Sequence, residues 1–384
     1  MHAGLGLLGL AGMTVAGCRQ PAAAGLERVA LEELRPVAGL RPLAPEIWGR
    51  RAVAYSGYRH GQSPETGVYP ERAEVLEDLR LLEGRGFGLL RVFGSGTHGR
   101  DVVELIAEHG LDLKVQVGAY VRGAHAANGE SNLHEVDEAI ALANAYPDIV
   151  VGLSVGNEVL VSWSFVAVPP EDLAAYIRHA RARVRQPVTV NDNWEPYAAG
   201  PGDPARKVWG QIDYASVHTY AYWDAGFNLW PFEQEAVPEA RRARAMMGAA
   251  AAYARANFAA VRAALDAAGL AIPIVIGETG WQSVPSATLD EARVRDWARH
   301  LGHPVNQSWY YQDMLAWAHG ADGATPGDGF TRPAALFYFA AFDEPWKNAD
   351  DNWGLWDAAR AEKHALSGRG VDPADAVFYR PPQP

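Results

Sequence analysis

Two stretches decide the fold: Val151-Gly152-Leu153-Ser154-Val155-Gly156-Asn157-Glu158 and Ile274-Val275-Ile276-Gly277-Glu278-Thr279-Gly280-Trp281. Each is a short apolar run ending on a glutamate beside small residues. Runs of this length, bounded by glycine and rich in Val and Ile, suit strands buried on both faces, as in a parallel sheet. The glutamates are 120 positions apart (278 − 158), room for three strand–helix units of about 40 residues each. Outward from this pair, further strands are predicted at 52–55, 88–93, 113–118, 187–191, 214–218 and 335–342, with the two deciding strands at 149–154 and 272–277. Amphipathic helices are predicted between them: one opening at Pro70, with Val75, Leu76, Leu79 and Leu82 on one face, and others at 100–109, 135–146, 171–184, 239–269 and 305–320. Eight strands alternating with helices describe a single (β/α)8 TIM barrel of the α/β class, with its catalytic face at the C-terminal ends of the strands. A doubly wound sheet is the competitor, but no Gly-x-Gly-x-x-Gly follows the first strand.

The composition bounds the function. With 48% hydrophobic and 21% charged residues, the 384-residue chain is ordinary globular material, not a disordered one. Its 34 Lys and Arg against 46 Asp and Glu leave −12, which argues against nucleic acid or an anionic membrane as the main partner. A single cysteine excludes an internal disulfide framework and a thiolate metal cluster. Thirteen Trp and 15 Tyr are more aromatic surface than a core needs, a hint of ligand stacking.

The opening 1–17 is apolar, short for a membrane span, and without Lys or Arg. Val15-Ala16-Gly17-Cys18 resembles the lipobox of bacterial lipoproteins, which makes Cys18 a candidate lipid attachment site. The organisation expected is then a lipoprotein-type signal segment (1–18), a tether (19–45) with a short helix at 26–34, the barrel (46–368) and a Pro-rich tail (369–384). The expected location is the periplasmic or cell-surface face of a membrane, touched only through lipid on Cys18; without the lipid the protein would be secreted.

Strands 4 and 7 of such a barrel lie across its mouth, so Glu158 and Glu278 can face each other over a ligand. Two facing carboxylates are what glycosidic cleavage needs: one protonates the leaving oxygen and the other handles the oxocarbenium-like carbon. Asn157-Glu158, Gly277-Glu278-Thr279-Gly280-Trp281 and Phe339-Ala-Ala-Phe342-Asp343-Glu344-Pro-Trp-Lys347 resemble, in order, the motifs of glycoside hydrolase family 17, the retaining β-1,3-glucanases, over about 53–357. The resemblance implies that Glu158 is the acid/base, Glu278 the nucleophile, and Glu344 and Lys347 members of the polar network around them. It also implies a β-glucan or its oligosaccharides as substrate. The family has a glutamate where this chain has Asp350. The carboxyl separation expected of a retaining enzyme is about 5–5.5 Å.

Other strand-end residues are candidates for the site. Arg91 would be costly inside an apolar strand unless paired, so an ion pair with a catalytic carboxylate is expected. Tyr55, Asn157, His218 and Tyr220 can reach a sugar hydroxyl or a carboxylate, and Asn191 with Trp194 suits sugar recognition, amide edge beside indole face. Trp163, Trp194, Trp223, Trp281 and Trp346 all follow predicted strands, which favours a stacking cleft. In the motifs, no second or third ligand at suitable spacing accompanies His218, so no metal is expected, and nothing calls for an organic cofactor. No nucleophile elbow supports a serine hydrolase, and the 94–99 Gly-rich loop lacks the Lys of a phosphate cradle. The leading reading is a retaining β-1,3-glucan hydrolase, endo or exo. Its rivals are a β-1,3-glucanosyltransferase and a non-catalytic carbohydrate-binding lipoprotein.

Overall fold

The computed structural model describes residues 39–226, 232, 236–285, 301–320, 323, 325–350 and 352–376. Cys18, the signal segment, the helix expected at 26–34 and the end of the tail lie outside them. Eight parallel strands close a barrel in sequence order: β1 (Ala52–Ala54), β2 (Leu89–Arg91), β3 (Lys114–Ala119), β4 (Val150–Asn157), β5 (Val188–Asn193), β6 (Ala215–His218), β7 (Ile274–Thr279) and β8 (Leu336–Tyr338). The last pairs with the first, Ala52 beside Phe337 and Val53 beside Tyr338, so no strand edge is left open. Closure buries both faces of each strand, the physical reason that the sequence reads as unbroken apolar runs rather than as alternation.

Helices Arg72–Gly84, Thr97–His109, His125–Ala145, Pro170–Arg181, Glu239–Ala267 and Pro304–His319 form the outer ring. Their ends follow local chemistry. Glu74 accepts from the backbone N–H of Glu71 at 2.9 Å at the start of Arg72–Gly84. Gly110 closes Thr97–His109 in the left-handed conformation that glycine enters freely. Proline opens both Pro170–Arg181 and Pro304–His319, where its missing N–H costs nothing. One helix starts ten residues earlier than its periodicity suggests, at His125 rather than 135. The added turns, rich in Ala, Asn and Gly, carry little hydrophobic patterning. Among the described residues, no helix is long and apolar enough to cross a membrane.

The tether expected over 19–45 is docked along its final part. Arg41 lies on Asp213, its backbone N–H donating at 2.8 Å and its guanidinium at 3.3 Å, while Arg181 pairs with the same buried carboxylate. The short helix Pro45–Trp48 then drives Trp48 into the N-terminal mouth of the barrel, edge-on to Tyr214 at 5.0 Å and Phe337 at 6.4 Å. This plug covers the end away from the chemistry, leaving the C-terminal face as the open one.

Candidate active site

The catalytic face is built where the strand register slips. β4 and β5 shift between Ser154 and Asn157, and β6 and β7 shift between Val217 and His218. Such irregularities re-aim side chains at strand ends. Glu158 follows the first of them at φ 51°, a left-handed conformation uncommon for a residue with a Cβ. It is held there from behind. Its own N–H donates to the Asn191 carbonyl at 2.9 Å, and Asp192 accepts from Val159 N–H at 2.8 Å and Leu160 N–H at 2.7 Å. The side chain of Glu158 keeps 26% of its surface in solvent, whereas Glu278 keeps 7%.

Glu278 is gripped on both oxygens. Arg91, itself 1% exposed, bonds Oε1 through Nη1, and the Tyr220 hydroxyl donates to Oε2 at 2.6 Å. Burial alone would raise its pKa, but the charges of His218 and Arg91 and the bonds from Tyr220 and Arg91 outweigh it. They hold the carboxyl down at about 2. Arg91 spends its remaining donors on the floor, bonding Asn157 Oδ1 through Nη2 and the Gly277 carbonyl at 3.3 Å. Asn191 takes Arg91 Nε at 2.7 Å on its oxygen and donates to Ser216 Oγ at 2.5 Å. A fully satisfied guanidinium tolerates burial. Gly277 is required beneath this network, because a Cβ there would run into Ser216 Oγ and come within 3.2 Å of His218.

His218 joins the two carboxylates. Its Nδ1 lies 3.2 Å from Glu158 Oε1 and 3.7 Å from Glu278 Oε2. Toward an ionised carboxylate, which only accepts, this nitrogen is the donor. The convergence corrects the expectation that no further ligand accompanies His218: one polar atom from each of Glu158, His218 and Glu278 lies within 4.8 Å of the others, a set that could hold a metal ion. The chain carries Glu158 and Glu278 60 residues to either side of His218, so no local motif announces them. An ion there would compete with Arg91 and Tyr220 for Glu278.

Two inward-facing carboxylates, one buried and ion-paired and the other reaching solvent, at the open end of a (β/α)8 barrel suit the cleavage of glycosidic bonds. The family model of the BtgE/BtgC glycoside hydrolase domain matches residues 52–356. The chain belongs to this family. It is also 26% identical over 333 residues to a glucan 1,3-beta-glucosidase of Arthroderma benhamiae, covering 81% of this chain and 90% of that one. An endo-laminarinase structure from Formosa Hel1_33_131 superposes with a TM-score of 0.70 at 26% identity, over 83% of this chain and 86% of the other. A glycoside hydrolase family 17 β-1,3-glucanosyltransferase from Rhizomucor miehei shares the fold, with a TM-score of 0.57 at 18% identity over 84% and 98% of the two chains.

In this glycoside hydrolase domain, Arg91, Asn157, Asn191, His218 and Tyr220 all gather around the two carboxylates. Glu344 and Lys347, which follow β8, pair with each other: Ser56 Oγ donates to Glu344 Oε1, Lys347 bonds Oε2, and the Trp346 indole approaches at 3.4 Å. The Lys347 ammonium lies 4.8 Å from the Phe339 ring centre. Trp194 is half-buried at the end of β5.

Two expected sugar contacts are structural instead. Tyr55 is wholly buried and donates its hydroxyl to Asp78 at 3.2 Å, because the residue after β1 turns outward to helix Arg72–Gly84. Trp281 is equally buried, its indole N–H on the Leu301 carbonyl at 2.9 Å and its rings against Tyr222 and Tyr310. Both are wall, not lining. The side chain of Asp350 lies outside the described residues. Ser56 and Trp353 were missed as candidates: Ser56 carries no local signal. Trp353, packed edge-on to Tyr220 at 5.4 Å, sits in the Asn352-Trp353-Gly354-Leu355 stretch, where an aromatic before a glycine was visible.

Proposed function

We infer that this domain is a retaining β-1,3-glucan hydrolase of the glycoside hydrolase family 17 type, with Glu278 as nucleophile and Glu158 as acid/base. The observation that carries the reading is the approach of the two carboxylates around His218: the facing atoms lie within 4.8 Å, far closer than the gap of about 6.5–9.5 Å that inversion leaves for a water. Environment divides the roles. Glu278, ionised and held by Arg91 and Tyr220, attacks the anomeric carbon as the bond to the leaving oxygen breaks, giving a glycosyl-enzyme ester. Glu158, open to solvent, passes its proton to that oxygen and then takes one from the water that cleaves the ester. Arg91 and Tyr220 keep the nucleophile aimed while its charge is consumed. The β-1,3 linkage is supported by the glucosidase and laminarinase relatives, each 26% identical.

Incubation with laminari-oligosaccharides, followed by proton NMR and chain-length analysis, tests this. The first product formed should be the β-anomer. A first-formed α-anomer would overturn the assignment of Glu278 as nucleophile. The same ester can be intercepted by a sugar hydroxyl instead of water, so products longer than the starting chain would make the enzyme a glucanosyltransferase. Binding without any cleavage would leave a carbohydrate-binding protein. The lipobox-like Val15-Ala16-Gly17-Cys18 supports a further part of the proposal, that lipid on Cys18 tethers the domain to an exported membrane face.

A further inference from the structure

The loop that follows Glu158 carries two aromatic side chains that the chemistry above does not use. Trp163 is 60% exposed and Phe165 is 95% exposed. Exposed hydrophobics scattered singly are ordinary, but these two are two residues apart on a segment that is firmly anchored. Val159, Val161, Val166 and Val168 from the same segment are all buried. Its backbone is stitched across the loop and to the neighbouring strand end: Val168 N–H donates to Val159 O at 2.8 Å, Ser164 N–H to Val161 O at 3.2 Å, and Gly123 N–H to Val166 O at 3.3 Å. Asp192 fixes its start through Val159 and Leu160. The valines therefore act as feet, and the aromatics stand out because the packing of the feet points them outward.

The chemistry of the loop selects a ligand class. In a chain of net charge −12, residues 159–170 contain no charged side chain. Exposed Ser162 precedes Trp163, and half-buried Ser164 lies between the two aromatics in sequence. Rings flanked by hydroxyls, without charge, match a neutral polysaccharide, whose pyranose units offer an apolar C–H face and hydroxyl edges. Five and seven residues of chain place Trp163 and Phe165 no more than about 18 Å and about 25 Å from Glu158, a distance that a few sugar units span.

We propose that Trp163 and Phe165 form a stacking platform for glucosyl units of the polymer remote from the bond being cleaved, making the enzyme selective for long glucan chains. The inference rests on the glucan reading above. It is continuous with the catalytic face through the loop itself, which leads directly out of Glu158. Contacts far from the cleaved bond strengthen binding of long chains and leave the chemistry of short ones unchanged.

The test compares the full-length protein with the Trp163→Ala/Phe165→Ala double variant on laminaritriose and on laminarin, with binding to immobilised laminarin measured alongside. Both side chains are exposed, and an unchanged melting temperature verifies folding; Trp163→Phe with Phe165→Tyr, which keeps both rings, should behave as the parent. The expected result is unaltered kcat/KM on the trisaccharide and a fall of about tenfold or more on the polymer, as loss of roughly 1.4 kcal/mol of stacking requires. Equal kcat/KM ratios for parent and double variant would overturn the platform while leaving the glucanase reading intact. A parent protein that cleaves neither substrate would overturn that reading first. If the double variant instead loses only its adhesion to phosphatidylcholine vesicles, the rings serve a membrane and the proposal falls.

Discussion

Tyr220 donates its hydroxyl to Glu278 Oε2 at 2.6 Å, on the oxygen opposite the one that Arg91 holds. A carboxylate clamped on both oxygens cannot rotate away from the anomeric carbon. Such a clamp also stabilises the ionised form, the one that the proposed role of nucleophile requires. The fold thus brings donors from β2 and the end of β6 onto one side chain of β7.

Conversion of either carboxylate should separate the two roles. Glu278→Gln is expected to lower kcat by several orders of magnitude on every glycoside, since no ester can form. Glu158→Gln should cost about 10²–10⁴-fold on glucan but little on aryl glycosides whose leaving group needs no proton. Initial-rate kinetics on laminarin and on a dinitrophenyl glucoside check this; equal losses on both substrates for Glu158→Gln would count against its acid role.

The pH profile should show the clamp. Glu278 is held at about 2 against its burial, so as the proposed nucleophile it should stay ionised until strongly acid conditions, and activity should fail only as pH falls through that region. Arg91→Met leaves a buried carboxylate without its ion pair, and the acid limb of kcat/KM should move up by a unit or more, with stability reduced by about 3–5 kcal/mol. Tyr220→Phe removes one neutral donor and should move it less. An acid limb unmoved in Arg91→Met would sink the argument.

Asp192 is expected to act on Glu158 through the backbone. It accepts from Val159, Leu160 and Asn193 N–H, and an amide in its place would turn donors toward donors. Asp192→Asn should reduce kcat with little change in KM and cost about 1–3 kcal/mol of stability. Chemical denaturation and steady-state kinetics read both; a change confined to KM would contradict a positioning role.

His98 predicts an acid-linked loss of stability. It packs between Tyr55 and Tyr58, neither ring nitrogen has a hydrogen-bond partner among the described residues, and burial pushes its pKa down from 6.5 to about 4. The folded state therefore binds fewer protons than the unfolded one between these values. The stability associated with the neutral ring is complete above pH 6.5 and is lost as pH falls toward about 4, up to about 3 kcal/mol. His98→Phe should flatten that part of the stability profile, as urea midpoints at pH 7 and pH 4.5 would reveal.

Lipid on Cys18 predicts that the full chain, expressed in a bacterium that acylates lipoproteins, partitions with membranes and that Cys18→Ser releases it. Equal partitioning of both forms would remove the anchor from the proposal.

Much of the site was legible because barrel geometry ties position to sequence. A polar residue directly after an apolar strand must emerge at the C-terminal rim, which is why Glu158, Glu278, Arg91 and His218 could be chosen without coordinates. The same logic failed for Tyr55 and Trp281. They also follow strands, but whether a side chain just past a strand end turns inward or outward depends on the local twist and on what is packed behind it, here Asp78 and Tyr310. The sequence places Trp163 in a stacking cleft with four other tryptophans but cannot distinguish it from buried Trp281; what sets it apart is a loop anchored by valines that leave its ring exposed.

By itself the sequence determined the barrel, its strand order and the two acidic strand ends, since these follow from the spacing of apolar runs along the chain. Only tertiary structure decided which groups share one site. Arg91, Glu158, His218 and Glu278 span 187 residues (278 − 91) yet act within a few ångströms, and closure of the sheet, the register slips beside β4 and β7 and the absence of a side chain at Gly277 bring them together. Contacts so distant in the chain leave no local pattern; they exist because eight strands share one axis.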